Sequence, residues 1–472
     1  MENFLALAAG LGLVWALGIA LIGALFRFAP PRVALPAPWI AGCGWFVGMI
    51  ATTLAMRALS VAGIAFGVVS IGAPLLAITA IAGWLAWRGR AAQLRGTLRE
   101  AARALHGGGL DGWQRLAWRL IVAWLAVRFA LLFAEVWWRP LYPWDAWTQW
   151  ATKARAWYEM RSMVPFAGVS EFLSAPVDAL LWFDAAPHYP ATMPLMQTWS
   201  ALLVGRWDDA LANLPWWLTG VALAVGLHGG MRLMGFRPLA ALAATALVNT
   251  LPIVNVHVAL AGYADLPIAA YLALGTIAAL HAIRTRGAGE LVLAAALLLS
   301  MTLVKNPGKA WLVMLLPAFV VAALPRYGVR IAAGLLAAAV FALLVGARSG
   351  VTLLGYKFYL QPVVHWGALF DAYFSYANWH LLWYAAVATA LLGWRHLLDR
   401  EVAPFTLAVA SGLLFLFIGF AFTHAGQWVE DQSTVNRATL HLAPLVVVWM
   451  FACLRGLLRG SGEPAPAAAP AS

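Results

Sequence analysis

Three observations predict an all-α polytopic membrane protein. Of 472 residues, 63% are hydrophobic and 11% charged, with a mean hydropathy of +0.80, whereas a soluble domain is nearer half apolar and a quarter charged. The apolar residues form continuous runs of spanning length, not the alternation of a transmembrane barrel strand. The breaks between runs are mostly short and carry nearly all the charge. A hydrocarbon core about 30 Å thick takes roughly 20 residues per helix, which leaves room for about a dozen crossings. Soluble, disordered and disulfide-framework folds are excluded. Cys43 and Cys453 lie inside apolar runs and read as small core residues.

Residues 1–87 hold three runs with almost no polar content, a structural three-helix membrane module. Residues 4–26 are long enough to span and no small-residue cleavage site follows a basic start, so no cleavable signal peptide is expected. Residues 88–115 form a basic cytoplasmic linker. The fourth run, 116–136, leads into the longest polar segment, 137–189. Within it, WDAWTQWATKARAWYEM (144–160) puts Trp147, Trp150, Ala151, Ala154 and Trp157 on one helical face and Asp145, Gln149 and Lys153 on another. That is the pattern of an amphipathic helix in the membrane interface. Eleven of the 26 tryptophans fall between 137 and 217, as a wide interfacial surface requires. Residues 190–206 are apolar but short, and are expected to dip in and return unless another boundary is misplaced. Further spans follow to about 457, with polar loops at 349–378 and 422–437 inside a C-terminal region, 326–460. The tail 461–472 is Pro/Ala-rich and reads as disordered. No internal repeat is visible, which counts against an inverted-repeat transporter.

The charge is +12, with 27 Arg and only four Lys. Arginines cluster at 27–32, 88–115, 232–237, 284–286, 326–330, 395–400 and 455–459, and the positive-inside rule makes these breaks cytoplasmic. The remaining breaks, 136–190, 256–266, 304–309, 347–378 and 422–437, then fall on the outer side. The basic charge thus reports topology, and no nucleic-acid partner is expected. All four lysines, Lys153, Lys305, Lys309 and Lys357, map to the outer side. Either codon bias favours arginine and their placement is chance, or compact ammonium groups serve anionic ligands there.

Five outer segments could carry chemistry. YPWDAW sets Asp145 just after the fourth span, where Pro143 stops one helix and the next helix start favours a carboxylate. PHYPATMP carries His188 and Tyr189 into the next run; His188 could meet a metal, a phosphate or a sugar hydroxyl, or simply water. RWDDA supplies Arg206, Asp208 and Asp209, which also fit an ordinary helix start. GYADLP opens an apolar span with a lone carboxylate, Asp265, an expensive placement that usually faces a polar cavity. LVKNPGKAW puts Lys305, Asn306 and Lys309 beside a helix start with free N–H groups, an anion site or else two snorkelling lysines. Later loops add Tyr356, Lys357, Tyr359, His365 and Asp371, then Glu430, Asp431 and Arg437. There is no P-loop, GxGxxG, HExxH or GxSxG.

This arrangement resembles the GT-C superfamily of integral-membrane glycosyltransferases, which includes protein O-mannosyltransferases and the transferases that place aminoarabinose on lipid A. The resemblance spans roughly 116–325. It rests on Asp145 at the start of a long first outer loop with interfacial helices, the His188-Tyr189-Pro190 entry to the next run, Asp265 in GYADLP, and the lysine turn LVKNPG. It departs in having one acid at Asp145 rather than two, three extra N-terminal helices, and nothing matching after 325. The resemblance implies transfer of a sugar, with inversion, from a polyprenyl-phosphate donor to a lipid, glycan or protein acceptor on the outer face of a bacterial inner membrane. Asp145 would be the base. Lys305 and Lys309, with Arg206 or Lys357, would hold the departing phosphate, with Lys153, Asn306, His188 and Tyr189 as further binding groups. Asp265 would position sugar or acceptor, or share a divalent ion with Asp145. Two other classes compete. A transporter or flippase of a lipid-linked sugar predicts broken helices and ionisable residues at span centres, where only Arg128 lies. An O-antigen ligase or polymerase would draw on Arg437, His365 and His424.

Overall fold

The computed structural model describes residues 2–90, 96, 99, 107–260, 262–348, 350, 352–353, 356–359 and 361–460. Most of the basic linker and the whole 461–472 tail therefore lie outside the described residues. Apart from one two-stranded hairpin, the described chain is helical. It divides into two units, Met1–Leu312 and Val313–Ser472, so the first three helices share a unit with the segments that carry Asp145, Asp265 and Lys305.

The expected helical membrane architecture is present, with fewer than a dozen described helices meeting a strict spanning length. Among the described residues seven helices are long and apolar enough to cross a membrane, or eight if one bent pair counts as a span. Other apolar helices are shorter, including Ala288–Val304, Pro307–Ala323 and Leu382–Leu392. Proline is one physical reason: Pro252, Pro307 and Pro317 each stand in a first turn and restart a helix within an apolar run.

The first unit opens with α1 (Glu2–Phe28), α2 (Ala37–Val61) and α3 (Val68–Trp87). Side chains at Gly18 or Gly48 would collide with backbone carbonyls of the facing helix, at Gly44 and Val14 respectively. Gly44 and Gly48, four apart on α2, let α1 and α2 backbones touch as small residues do in membranes. The predicted structural module is thus packed through glycine. Then come α4 (Gly112–Trp138), α5 (Ala151–Met160), α6 (Val169–Ser174), α7 (Thr192–Val204), α8 (Leu214–Leu233), α9 (Pro238–Thr250), α10 (Pro252–Ala259), α11 (Asp265–Thr285), α12 (Ala288–Val304) and α13 (Pro307–Met314). Helix α11 is the buried centre, and its Tyr271 donates to the Phe46 carbonyl of α2 at 2.6 Å.

The breaks of this unit gather at two ends. At one, the Arg32 N–H donates to Glu290 Oε1 at 2.8 Å, Trp39 packs on Gly229, and Trp118 meets His228 with ring centroids 5.5 Å apart. These breaks hold the arginine clusters, so we call it the arginine end. At the other, the Phe66 N–H donates to the Arg161 carbonyl at 2.6 Å, Phe4 packs on Trp137, and the backbone of Gly262 lies against Ala146. This Asp145 end collects the breaks predicted to share the outer side.

Helix α7 accounts for the short apolar segment 190–206. Thirteen residues at 1.5 Å each give about 20 Å, too short to cross. All thirteen are buried. From mid-helix the Gln197 amide donates to Asn213 at the start of α8, at 2.9 Å. The helix therefore stays at the Asp145 end, and α8 starts from that end.

The second unit contains α14 (Leu316–Ala323), α15 (Gly328–Arg348), the hairpin β1 (Thr352–Leu353) and β2 (Tyr356–Lys357), α16 (Trp366–Phe370), α17 (Leu382–Leu392), α18 (Ala403–Ala421), α19 (Gln427–Glu430), α20 (Val435–Leu440) and α21 (Ala443–Gly460). Val321, Ala332 and Ala403 form one small core, and Ala372, Val429 and Val435 another. Glu401 receives both Arg455 and Arg459 at 3.0 Å.

Candidate functional site

Asp265 is the first residue of α11, 1% exposed, where the helix dipole favours a carboxylate. The turn before it is clamped. Gly262 has φ +120°, and any side chain there would strike Ala146, so only glycine lets the two backbones meet. Next to it the Tyr263 carbonyl accepts from the Trp216 indole at 2.7 Å. This contact brings the turn before Asp265 against the helix start that carries Asp145. Gly262 and Ala146 are near neighbours of Asp265 and Asp145 in sequence, so the two helix starts lie at the same end of the unit.

Lys305, just after α12, donates to Asp265 Oδ1 at 2.5 Å; its side chain is 11% exposed. The turn that holds it is tight: the Gly308 N–H donates to the Lys305 carbonyl at 2.9 Å, and Gly308 packs on the Met301 carbonyl. Asn306 is half-buried and Lys309, in the first turn of α13, is exposed. The cations predicted to act together therefore differ: Lys305 is committed to a carboxylate, and Lys309 faces outward.

The entry to α7 joins the same region. Thr192 donates to the Leu303 carbonyl at 2.6 Å, two residues before Lys305. Tyr189 stacks edge-on against Trp150, with centroids 5.5 Å apart. Contacts thus link Asp145–Trp150, Tyr189–Thr192, Gly262–Asp265 and Leu303–Lys309 into one cluster at the Asp145 end. His188 is exposed. Arg206 is also exposed and pairs with Asp208 at 2.9 Å. Burial pushes the Asp208 carboxyl up, but N–H groups of Leu211 and Ala210 and the Arg206 guanidinium outweigh it and hold the carboxyl below its ordinary value. Arg206 is thus paired with Asp208, whose carboxylate accepts from the N–H groups that start the next turn. Lys357 is exposed on β2, in the second unit.

Lys153 departs from expectation. Residues Ala146–Trp150 form a single π-turn, which inserts an extra residue and rotates the downstream helix by about 100° relative to an uninterrupted α-helix. The polar line Asp145, Gln149, Lys153 is broken, and Lys153 turns inward. It is 2% exposed, with Nζ 3.0 Å from Asp184 Oδ2 and donating to the Ala186 carbonyl at 2.7 Å. Burial pushes its ammonium pKa down against the opposing pull of Asp184. Lys153 is a clasp within the loop rather than a cation offered to ligand. Helix α5 is correspondingly buried on most sides, not on its tryptophan face alone, while Trp138, Tyr142, Trp144 and Trp147 remain exposed at the rim.

Sequence reasoning did not single out Asp184, the fully buried partner of Lys153, or His257. On α10 the His257 ring is buried, its Nδ1 2.8 Å from the Ile253 carbonyl and its centroid 5.6 Å from Tyr263. A histidine eight residues ahead of Asp265 in the same break was the available signal. Among the described residues no group of three or more His, Cys, Asp or Glu side chains could hold a metal ion; Asp265 is paired with Lys305 instead.

Compared with protein-family models, with curated proteins and with solved structures, the chain matches none.

Proposed function

We propose that this multi-pass membrane protein is a glycosyltransferase that moves a sugar from a polyprenyl-phosphate donor to an acceptor, with the reaction at the Asp145 end of the first unit. The supporting observation is the buried Asp265–Lys305 pair set against the Asp145 helix start through Gly262 and Ala146. A phosphate leaving group needs no strong acid, only a base for the acceptor hydroxyl and cations for the departing charge. Asp145 is the base in this reading and inversion follows. Lys309 is the exposed cation, Lys305 is held in place by Asp265, and the positive-inside rule puts this end on the outer face, periplasmic in a bacterial inner membrane.

A second reading, a transporter or flippase of a lipid-linked sugar, is favoured by one observation: α9 and α10 are an apolar helix pair bent by 64° at Leu251 and Pro252, a broken span or a re-entrant loop. Buried Asn249 and Asn255 flank the break, and Arg128, whose Nε is buried without a hydrogen-bond partner, lies within α4. Broken spans with polar residues are transporter features. Purified protein in lipid, given a panel of radiolabelled polyprenyl-phosphate sugars with membrane extract as acceptor, separates the two. Loss of label from the carrier supports the transferase, while binding without turnover across the panel supports transport.

A further inference from the structure

The second unit holds a cavity of about 240 Å³. One wall is Leu413, Leu416, Phe417 and Phe420, from the last two turns of α18; Leu369 and Trp383 face it from α16 and α17. Three side chains in the wall can bond, and they do not converge: the Trp383 indole N–H is buried without a hydrogen-bond partner, and the other two are engaged or at the rim. The Tyr373 hydroxyl is engaged with Thr439 at 2.8 Å, and His365 is part-exposed, with Nδ1 4.0 Å from the exposed Glu430 carboxylate.

The wall continues onto the outside of a span. Helix α18 is a candidate span with half of its apolar stretch buried, which leaves the other half open to lipid. Phe417 belongs to both surfaces: it lines the cavity and is 37% exposed, 6.1 Å from the exposed Trp366 ring. An apolar cavity without convergent polar groups takes an apolar guest, and beside a lipid-facing span the most abundant one is a hydrocarbon chain.

We propose that this cavity holds the end of a lipid hydrocarbon chain, acyl or isoprenoid, with its headgroup outside at the His365–Glu430 rim. At about 30 Å³ per water-sized group, the volume takes roughly eight methylene-sized units, a chain end rather than a whole lipid. The inference rests on the second unit alone and stands or falls independently of carrier turnover in the first.

The test uses the full chain in phosphatidylcholine vesicles with a trace of phosphatidylcholine bearing a diazirine in its acyl chain. After photolysis, adducts are mapped by mass spectrometry. The expected result is labelling of 413–421 and 369–374 at about five times the density on the exposed face of α4, near Trp124 and Leu131, a preference of about 1 kcal/mol. Leu416→Trp, which fills the cavity, abolishes this excess and leaves the α4 labelling as an internal control for fold and insertion; Ala421→Leu serves if Leu416→Trp fails to fold. Excess farnesol or oleyl alcohol competes, and the stronger competitor tells an isoprenoid source from an acyl one. Labelling no denser than on α4, labelling unchanged in both variants, or displacement by neither alcohol overturns the proposal.

Discussion

The first unit contains two buried lysine–aspartate pairs, and they do different things. Lys153 and Asp184 sit in one connecting segment, 2% exposed and fully buried respectively, and a backbone carbonyl completes the lysine's shell. Asp265 and Lys305 stand at the ends of two different helices, joining the start of α11 to the break after α12 across 40 residues, and part of the lysine remains accessible. A pair closed within a loop fixes that loop. A pair that bridges helix ends beside a further acidic turn fixes how those helix ends sit together. The same residue types thus give a clasp in one place and a joint in the other, and the difference lies in which elements they tie.

That comparison is sharpest where the joint is cut. Lys305→Met leaves a carboxylate buried without its partner and should cost about 3–5 kcal/mol, whereas Asp265→Asn with Lys305→Met should recover much of it. Melting in detergent, followed by fluorescence-detected gel filtration, reads the difference; equal losses in single and double variants would mean the two residues are not coupled. Cutting the clasp should act locally. Lys153→Met, which strands the Asp184 carboxylate in the same way, is expected to open residues 161–190 to protease at a similar cost of about 3–5 kcal/mol, with the α11–α12 packing kept. Unchanged nicking would remove Lys153 from the loop's support.

Lys309 offers a smaller effect. Because its side chain is exposed, Lys309→Ala should raise the KM for the carrier about tenfold, near 1.4 kcal/mol, and leave melting unchanged. A KM equal to wild type would take Lys309 out of the phosphate site. The smallest effect is a pH dependence. The Asp208 carboxyl is held below its ordinary value of 3.8 in the folded chain, so its stabilisation is complete above that value and is lost as pH falls through the lowered one. Pepsin nicking at 205–213, normalised at each pH to cleavage of an unstructured control peptide, should therefore stay flat from mildly acidic pH down to about 4 and rise below it, while Asp208→Asn is nicked more throughout. A variant that matches wild type at mildly acidic pH would contradict the cap.

Much of this was legible in the sequence because hydropathy and charge act over whole segments. The membrane class, the positions of the breaks and the return of residues 190–206 come from apolar length and arginine placement. The neighbourhood of Asp145 and Asp265 was legible too, since each is a carboxylate at a span start. The features that escaped notice did so for specific physical causes. The π-turn at Ala146–Trp150 turned Lys153 inward, and no 3.6-residue pattern announces an inserted residue. Asp184 looked like any loop carboxylate until burial gave it a partner 31 positions away. Leu251 and Pro252 divide one apolar run into two bent helices, a distinction that mean hydropathy cannot make. The cavity beside α18 depends on how the segments of Phe417 and Leu369 come to line one space, which alternation within either segment does not encode.

The central claim is that the carboxylate at the start of the first long loop performs the chemistry. Wild type and Asp145→Asn, both shown to be folded by gel filtration and melting, would be compared in lipid for release of label from a radiolabelled polyprenyl-phosphate sugar. A positioned general base contributes about 10²–10⁴-fold, so carrier binding should persist in the variant while turnover falls by at least about the lower of these factors. A folded Asp145→Asn protein that turns over the carrier at the wild-type rate would contradict the account.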